Sequence, residues 1–163
     1  MRRVLEYLHG TIKLGLVLRA YSLNVIKWWV GALYAIQPAM KGHTRATMYL
    51  GGGLAISMSK KQKLNELSST GVEVIGADDA MPQMLWTKHF CKEQGYLTEE
   101  NIMYQDNLSA MLLDTNGKKS STKRTKHVRV RYFFIKDRVS SGDIKMEHCP
   151  TEEMLTDHFT KPL

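Results

Sequence analysis

His43-Thr44-Arg45-Ala46-Thr47-Met48-Tyr49-Leu50-Gly51-Gly52-Gly53-Leu54-Ala55-Ile56-Ser57-Met58-Ser59 decides the fold. Residues 43–50 and 54–59 read as two short strands, and the glycine triplet between them can supply the positive φ angles of a hairpin turn. Just upstream, Val25-Ile26-Lys27-Trp28-Trp29-Val30 is aromatic and β-branched, a further strand. Three strands in a row predict an antiparallel meander.

Downstream the period changes. Val74, Ala77, Met81 and Leu85 recur at helical spacing, with Ser68, Ser69 and Thr70 before them as caps and Pro82 as an expected kink. A strand fits Ile102–Gln105, then a short helix Leu108–Leu113 that stops at Asn116-Gly117. In residues 118–138, Val128, Tyr132, Ile135 and Val139 share a helical face, while Val128, Val130 and Tyr132 also alternate as in a strand. The helix is the preferred reading. Asp143–His148 fits a last strand, and Pro150-Thr151-Glu152-Glu153 opens a terminal helix. At the other end, residues 3–16 form an amphipathic helix with Val4, Leu5, Leu8 and Ile12 on one side. The sum is an α/β fold, a five-stranded mixed sheet flanked by helices.

The chain has 163 residues, suited to one domain, and a net charge of +7. A basic excess fits a polyanionic partner such as nucleic acid, and equally an ordinary basic protein. Cys91 and Cys149 stand in no C-x-x-C pair, which argues against a disulfide framework or zinc site. No secretion signal or membrane span is readable, so an intracellular location, cytoplasmic or nuclear, is expected.

Divalent metals such as Mg²⁺ need hard oxygen ligands converging from separate elements. Glu73 in the long helix, Asp106 at the end of the strand Ile102–Gln105, and Asp157 in the terminal helix are placed for this. Any one of them alone reads more readily as a solvated surface carboxylate.

Four blocks carry a resemblance: Lys60-Lys61-Gln62-Lys63 leading to Ser68-Ser69-Thr70-x-x-Glu73; Tyr104-Gln105-Asp106-Asn107-x-Ser109-Ala110; Thr125-Lys126-His127-x-x-x-Arg131-Tyr132-x-Phe134-Ile135; and Asp157-x-x-Thr160-Lys161-Pro162-Leu163. Together they resemble the ribonuclease H domain of Ty1/copia-type retrotransposon polyproteins over residues 25–163. Residues 1–24, opening Arg2-Arg3-Val4-Leu5, are similar to the segment that joins the family's reverse transcriptase to that domain.

The resemblance implies a ribonuclease H-like fold, two Mg²⁺ ions held by acids in the order Asp, Glu, Asp, Asp, and hydrolysis of RNA in RNA–DNA hybrids. Glu73 matches the second acid, Asp106 the third and Asp157 the fourth. The first is expected in a Trp-aromatic-Val-Asp-Ala pattern, which here reads Trp28-Trp29-Val30-Gly31-Ala32. Gly31 offers no carboxylate. The implied outcomes are an impaired Mg²⁺-dependent ribonuclease H or a non-catalytic nucleic-acid-binding remnant of a decayed element, with Gly31→Asp expected to restore some cleavage. A second departure is Thr70-Gly71-Val72-Glu73, where the family has Thr-Glu-Ala-Glu.

In such a domain Lys118, Lys119, Lys123, Arg124, Lys126, Arg129 and Arg131 would track hybrid phosphates. His148, nine residues before Asp157, would sit where some ribonucleases H carry a histidine that aids product departure, or serve no role. The implied partners are the hybrid and the reverse transcriptase domain, with no membrane.

Overall fold

The meander forms around the glycine turn. In the computed structural model, which describes residues 2–15, 17–34, 41–66, 68–111 and 126–157, β1 (Val25–Leu33), β2 (His43–Leu50) and β3 (Gly53–Lys61) pair antiparallel in sequence order. Gly51 turns the β2–β3 corner at φ +63°, a left-handed angle that side chains disfavour. β4 (Glu100–Gln105) then lies parallel to β1, and β5 (Lys145–His148) parallel to β4. The five-stranded mixed sheet has the order β3-β2-β1-β4-β5, which makes β1 central. A strand flanked on both sides and covered by a helix must be apolar, and Ile26, Trp28 and Val30 are fully buried.

The covering helix is α2 (Ser69–Glu93), whose Val74, Ala77, Met81 and Met84 join those β1 residues in one core. It continues unbroken through Pro82. Gly76 lets it approach β1: a Cβ there would stand 3.1 Å from Ala32 Cβ. Ser68 caps its start, the hydroxyl accepting from the Gly71 N–H at 3.0 Å. Ser68→Ala should therefore lower the melting temperature by roughly 3 °C, the equivalent of about 1 kcal/mol of lost capping; thermal denaturation followed by circular dichroism measures it.

Residues Lys126–Ser140 form a helix, α3, as the preferred reading of this segment expects. Ile135 is fully buried, Val139 packs against the core, and Arg131 pairs with Asp78 of α2. The helical spacing wins because it sends Ile135 and Val139 to the same side.

Elsewhere the boundaries move. α1 spans Arg2–Thr11, shorter than the expected 3–16, and buries none of its residues. The last strand starts at Lys145, two residues late. Where a helix opening at Pro150 is expected, residues Thr151–Glu153 form a 3₁₀ turn, and residues 158–163 lie outside the described residues. Met154 and Thr156 are both buried, an inward spacing of two that an α-helix does not provide. A helical turn covers residues 108–111, and the rest of the expected Leu108–Leu113 helix lies outside the described residues. Cys91 and Cys149 are free and buried. Among the described residues no helix is long and apolar enough to cross a membrane.

Candidate active site

The parallel ends of β1 and β4 create the site. Trp29 lies opposite Tyr104 at the end of the pairing, and Gly31 and Asp106 each follow two residues beyond it. The close approach of α2 at Gly76 brings Glu73, one turn earlier, to the same edge. There the Ala32 N–H donates to the Glu73 carboxylate, and the Gln105 amide donates to the Glu73 carbonyl at 3.4 Å. Glu73 and Asp106 line one shallow pocket with Asn107, Leu108 and Ser109. Asn107 caps the turn beyond Asp106, its side-chain oxygen accepting from the Ala110 N–H at 3.0 Å. The Thr151 hydroxyl donates to Asp106 at 3.3 Å.

Asp157 meets this group through Arg45. On β2, Arg45 is the direct antiparallel partner of Gly31. A Cβ built on Gly31 would meet the Arg45 guanidinium at once, with Nε at 3.0 Å and Nη2 at 3.3 Å. The same Nη2 is 2.7 Å from Asp157 Oδ1, and both side chains are nearly buried, 7% and 13% exposed. Arg45 also lowers the pKa of Glu73, but against larger effects. Burial pushes the Glu73 carboxyl up to about 8, the Ala32 N–H pulls it down, the Asp106 charge raises it, and Arg45 and Gln105 lower it in turn. Asp106 thus acts on Glu73, and Glu73 and Asp157 interact with a cation that the sequence reading did not single out. Its signal was an arginine inside a strand directly opposite a glycine.

This donor set does not fit the two Mg²⁺ ions that the resemblance implies. Among the described residues no group of three or more His, Cys, Asp or Glu side chains is close enough to hold a metal ion. Gly31 contributes no oxygen, and a buried guanidinium already engages Asp157. A fixed positive charge repels a second cation brought to the same carboxylates.

The sequence relatives agree with this architecture. The Pol polyprotein of transposon TNT 1-94 from Nicotiana tabacum is 34% identical over 139 residues, 76% of this chain and 10% of the relative. That of transposon RE1 from Arabidopsis thaliana is 32% identical over 165 residues, 100% of this chain and 11% of the relative. The chain is a segment of a copia-type Pol polyprotein. It spans about a tenth of the length of these curated relatives. No protein-family model matches it. Among solved structures, LC11-RNase H1 from compost aligns with a TM-score of 0.58 at 14% identity, over 83% of this chain and 91% of that one. RNase H1 from Halobacterium salinarum aligns with a TM-score of 0.52 at 11% identity, over 81% and 90%. The copia-type segment has a ribonuclease H-like fold.

Other sequence-assigned residues are placed less simply. Arg131 is committed to Asp78, whose carboxyl burial nonetheless pushes above its ordinary range. Lys126 and Arg129 lie in the first turns of α3. Lys118, Lys119, Lys123 and Arg124 lie outside the described residues. His148 ends β5, exposed, opposite Gln105. At Gly71, the second departure from the family pattern, a Cβ would meet Glu66 Cγ at 2.3 Å. The nearly buried Glu66 takes the space that a side chain at 71 would claim.

Proposed function

We propose that this copia-type segment is a ribonuclease H domain that holds RNA–DNA hybrid and has lost most or all of its Mg²⁺-dependent cleavage of the RNA strand. The observation that carries this reading is the Gly31–Arg45 pair, a missing carboxylate with a guanidinium bound to Asp157 packed against the place of its Cβ. Glu73, Asp106 and Asp157 are the acids that remain of the four. One structural neighbour, LC11-RNase H1, has been crystallised in complex with an RNA/DNA hybrid, which supports the choice of ligand. Residues 1–24 are proposed as the junction with the reverse transcriptase domain, and the exposed Val4, Leu5 and Leu8 of α1 are suited to packing against it. A cleavage assay on labelled hybrid, run beside a binding assay in the same buffer, tests the reading: binding with little or no cutting is the expected pair of results.

Residues 118–138 carry nine Lys and Arg against Asp137 alone, and such a run binds phosphates by releasing their counterions. Replacing Lys118, Lys119, Lys123 and Arg124 with Ala should flatten the plot of log affinity against log salt by up to roughly 3.6, at about 0.9 for each phosphate no longer neutralised. Arg131→Ala should instead lower stability, because it strands the part-buried Asp78. Unchanged salt dependence in the quadruple variant would reduce the run to a solvated face.

A further inference from the structure

We infer that the Arg45 guanidinium is a built-in substitute for a divalent cation, lodged against Gly31 and bound to Asp157 so that the acid cluster folds without metal. This rests on reading Glu73, Asp106 and Asp157 as the acids of an impaired ribonuclease H site.

Three observations carry it. First, Gly31 and Arg45 are opposed in register, and the guanidinium stands 3.0 Å from where a residue-31 Cβ would be. A side chain at 31 would press on it, and the guanidinium would have to give by a few tenths of an ångström. Second, the guanidinium is buried, and a buried cation is tolerated only where anions or hydrogen bonds compensate it. Asp157 at 2.7 Å is such an anion, and Glu73 lies near enough for Arg45 to act on it. Third, the Asp106 and Glu73 carboxylates repel one another, and Arg45 opposes that repulsion at Glu73. In a metal-dependent site a divalent ion relieves that repulsion. Here a covalently attached charge opposes it permanently, with nothing to be bound and nothing to be lost to a chelator. Guanidinium suits the role because it stays protonated and offers several donors in a fixed plane.

The substitution is directional. With Asp at 31 and no arginine at 45, the cluster has four acids and needs an external cation. With Gly31 and Arg45 it has three acids and its own. Either change alone leaves a charge unmatched, so the two positions form a coupled pair.

Melting temperatures of the unmodified chain, Arg45→Met, Arg45→Lys and the double variant Arg45→Met/Asp157→Asn test this, each in Mg²⁺, in Mn²⁺ and in Na⁺ of matched ionic strength. The unmodified chain should not distinguish divalent ions from Na⁺. Arg45→Met should melt at least about 6 °C lower in Na⁺, the cost of stranding a buried carboxylate. It should regain roughly 3 °C or more in Mg²⁺ or Mn²⁺ at ten times the dissociation constant. Arg45→Lys, which keeps a cation, should lose less and stay insensitive to divalent ions. The double variant should recover stability without metal and show no response to it. Saturable stabilisation of the unmodified chain by Mg²⁺ or Mn²⁺ overturns the inference, and that measurement stands whatever the variants do. So does an Arg45→Met chain that is as stable as the parent, or that stays unfolded in both divalent ions. Hybrid cleavage by the unmodified chain is a separate readout, which would sink the functional reading and leave these thermal data to judge Arg45.

Discussion

The unmodified chain should cleave the RNA of a labelled RNA–DNA hybrid at least about a thousandfold more slowly than a relative with all four acids, a loss of roughly 4 kcal/mol in transition-state stabilisation. The missing first acid alone would weaken any metal-assisted reaction. Arg45 deepens the lesion, because Asp157 is already engaged at 2.7 Å. From the sequence, Gly31→Asp is expected to restore some cleavage. The structure narrows that expectation. The new carboxylate would arrive against a guanidinium, with Cβ only 3.0 Å from Nε, and would pair with it. Gly31→Asp should thus recover little, Arg45→Ala alone should recover nothing, and the double variant should exceed both by at least about tenfold, or roughly 1.4 kcal/mol. That non-additivity is the mark of two residues acting as one unit. Full recovery by Gly31→Asp alone would show that Arg45 can swing away. Robust cleavage by the unmodified chain would show that three acids suffice.

How much of this was legible in the sequence depends on which physical rule set each feature. The meander was legible because the glycine turn and the β-rich runs are local signals that tertiary packing had no reason to override. So was α2, where Ser68 and the spacing Val74, Ala77, Met81 agree with what the core needs. The α3 helix was legible less sharply, because Val128-Arg129-Val130-Arg131-Tyr132 fits both periods, and the burial of Ile135 bears out the helical one. The terminal segment misled for the opposite reason. Pro150 followed by two glutamates is a sound helix start, yet Met154 and Thr156 both turn inward and hold the chain to a 3₁₀ turn.

The candidate acids are marked in the sequence by their motifs, but the arginine paired with Asp157 is not. Arg45 is one basic residue among 23, and nothing local marks it. Its meaning comes from strand register, which sets it opposite Gly31, and a shift of one residue would have turned it to the other face. Glu66 repeats the pattern at Gly71. In both places a glycine departs from the family motif, and a charged side chain from elsewhere fills the opening. The absence is visible in sequence; its filling is visible only in three dimensions.

Stability should fall as pH rises from about 4.5 to about 8, and Glu73→Gln should remove most of that fall. Burial holds the folded-state pKa of Glu73 near 8 against an ordinary value of 4.5. Between those limits the folded chain keeps a proton that the unfolded chain has released, so each step up in pH favours unfolding. The stabilising effect is complete below about 4.5 and gone above about 8. At about 1.4 kcal/mol per pH unit, the whole span is worth several kcal/mol. Of the groups around the carboxyl, Asp106 pushes the same way, while Arg45, the Ala32 N–H and Gln105 oppose it without matching the burial. Asp78, also raised by burial, contributes a smaller slope of the same sign. Asp143, held below the ordinary carboxylate range by its hydrogen bond from Ser141, acts at more acidic pH, where stability rises as it ionises. Glutamine keeps the shape of Glu73 and carries no titrating proton. Glu73→Gln should therefore match the parent near pH 4 and melt well above it at pH 8 to 9, by roughly 6 °C or more. Urea titrations at pH 4, 6 and 8 on both chains measure the difference directly. Parallel curves for the two would mean that Glu73 ionises at an ordinary pH, with the Arg45 charge close enough to hold the carboxylate open.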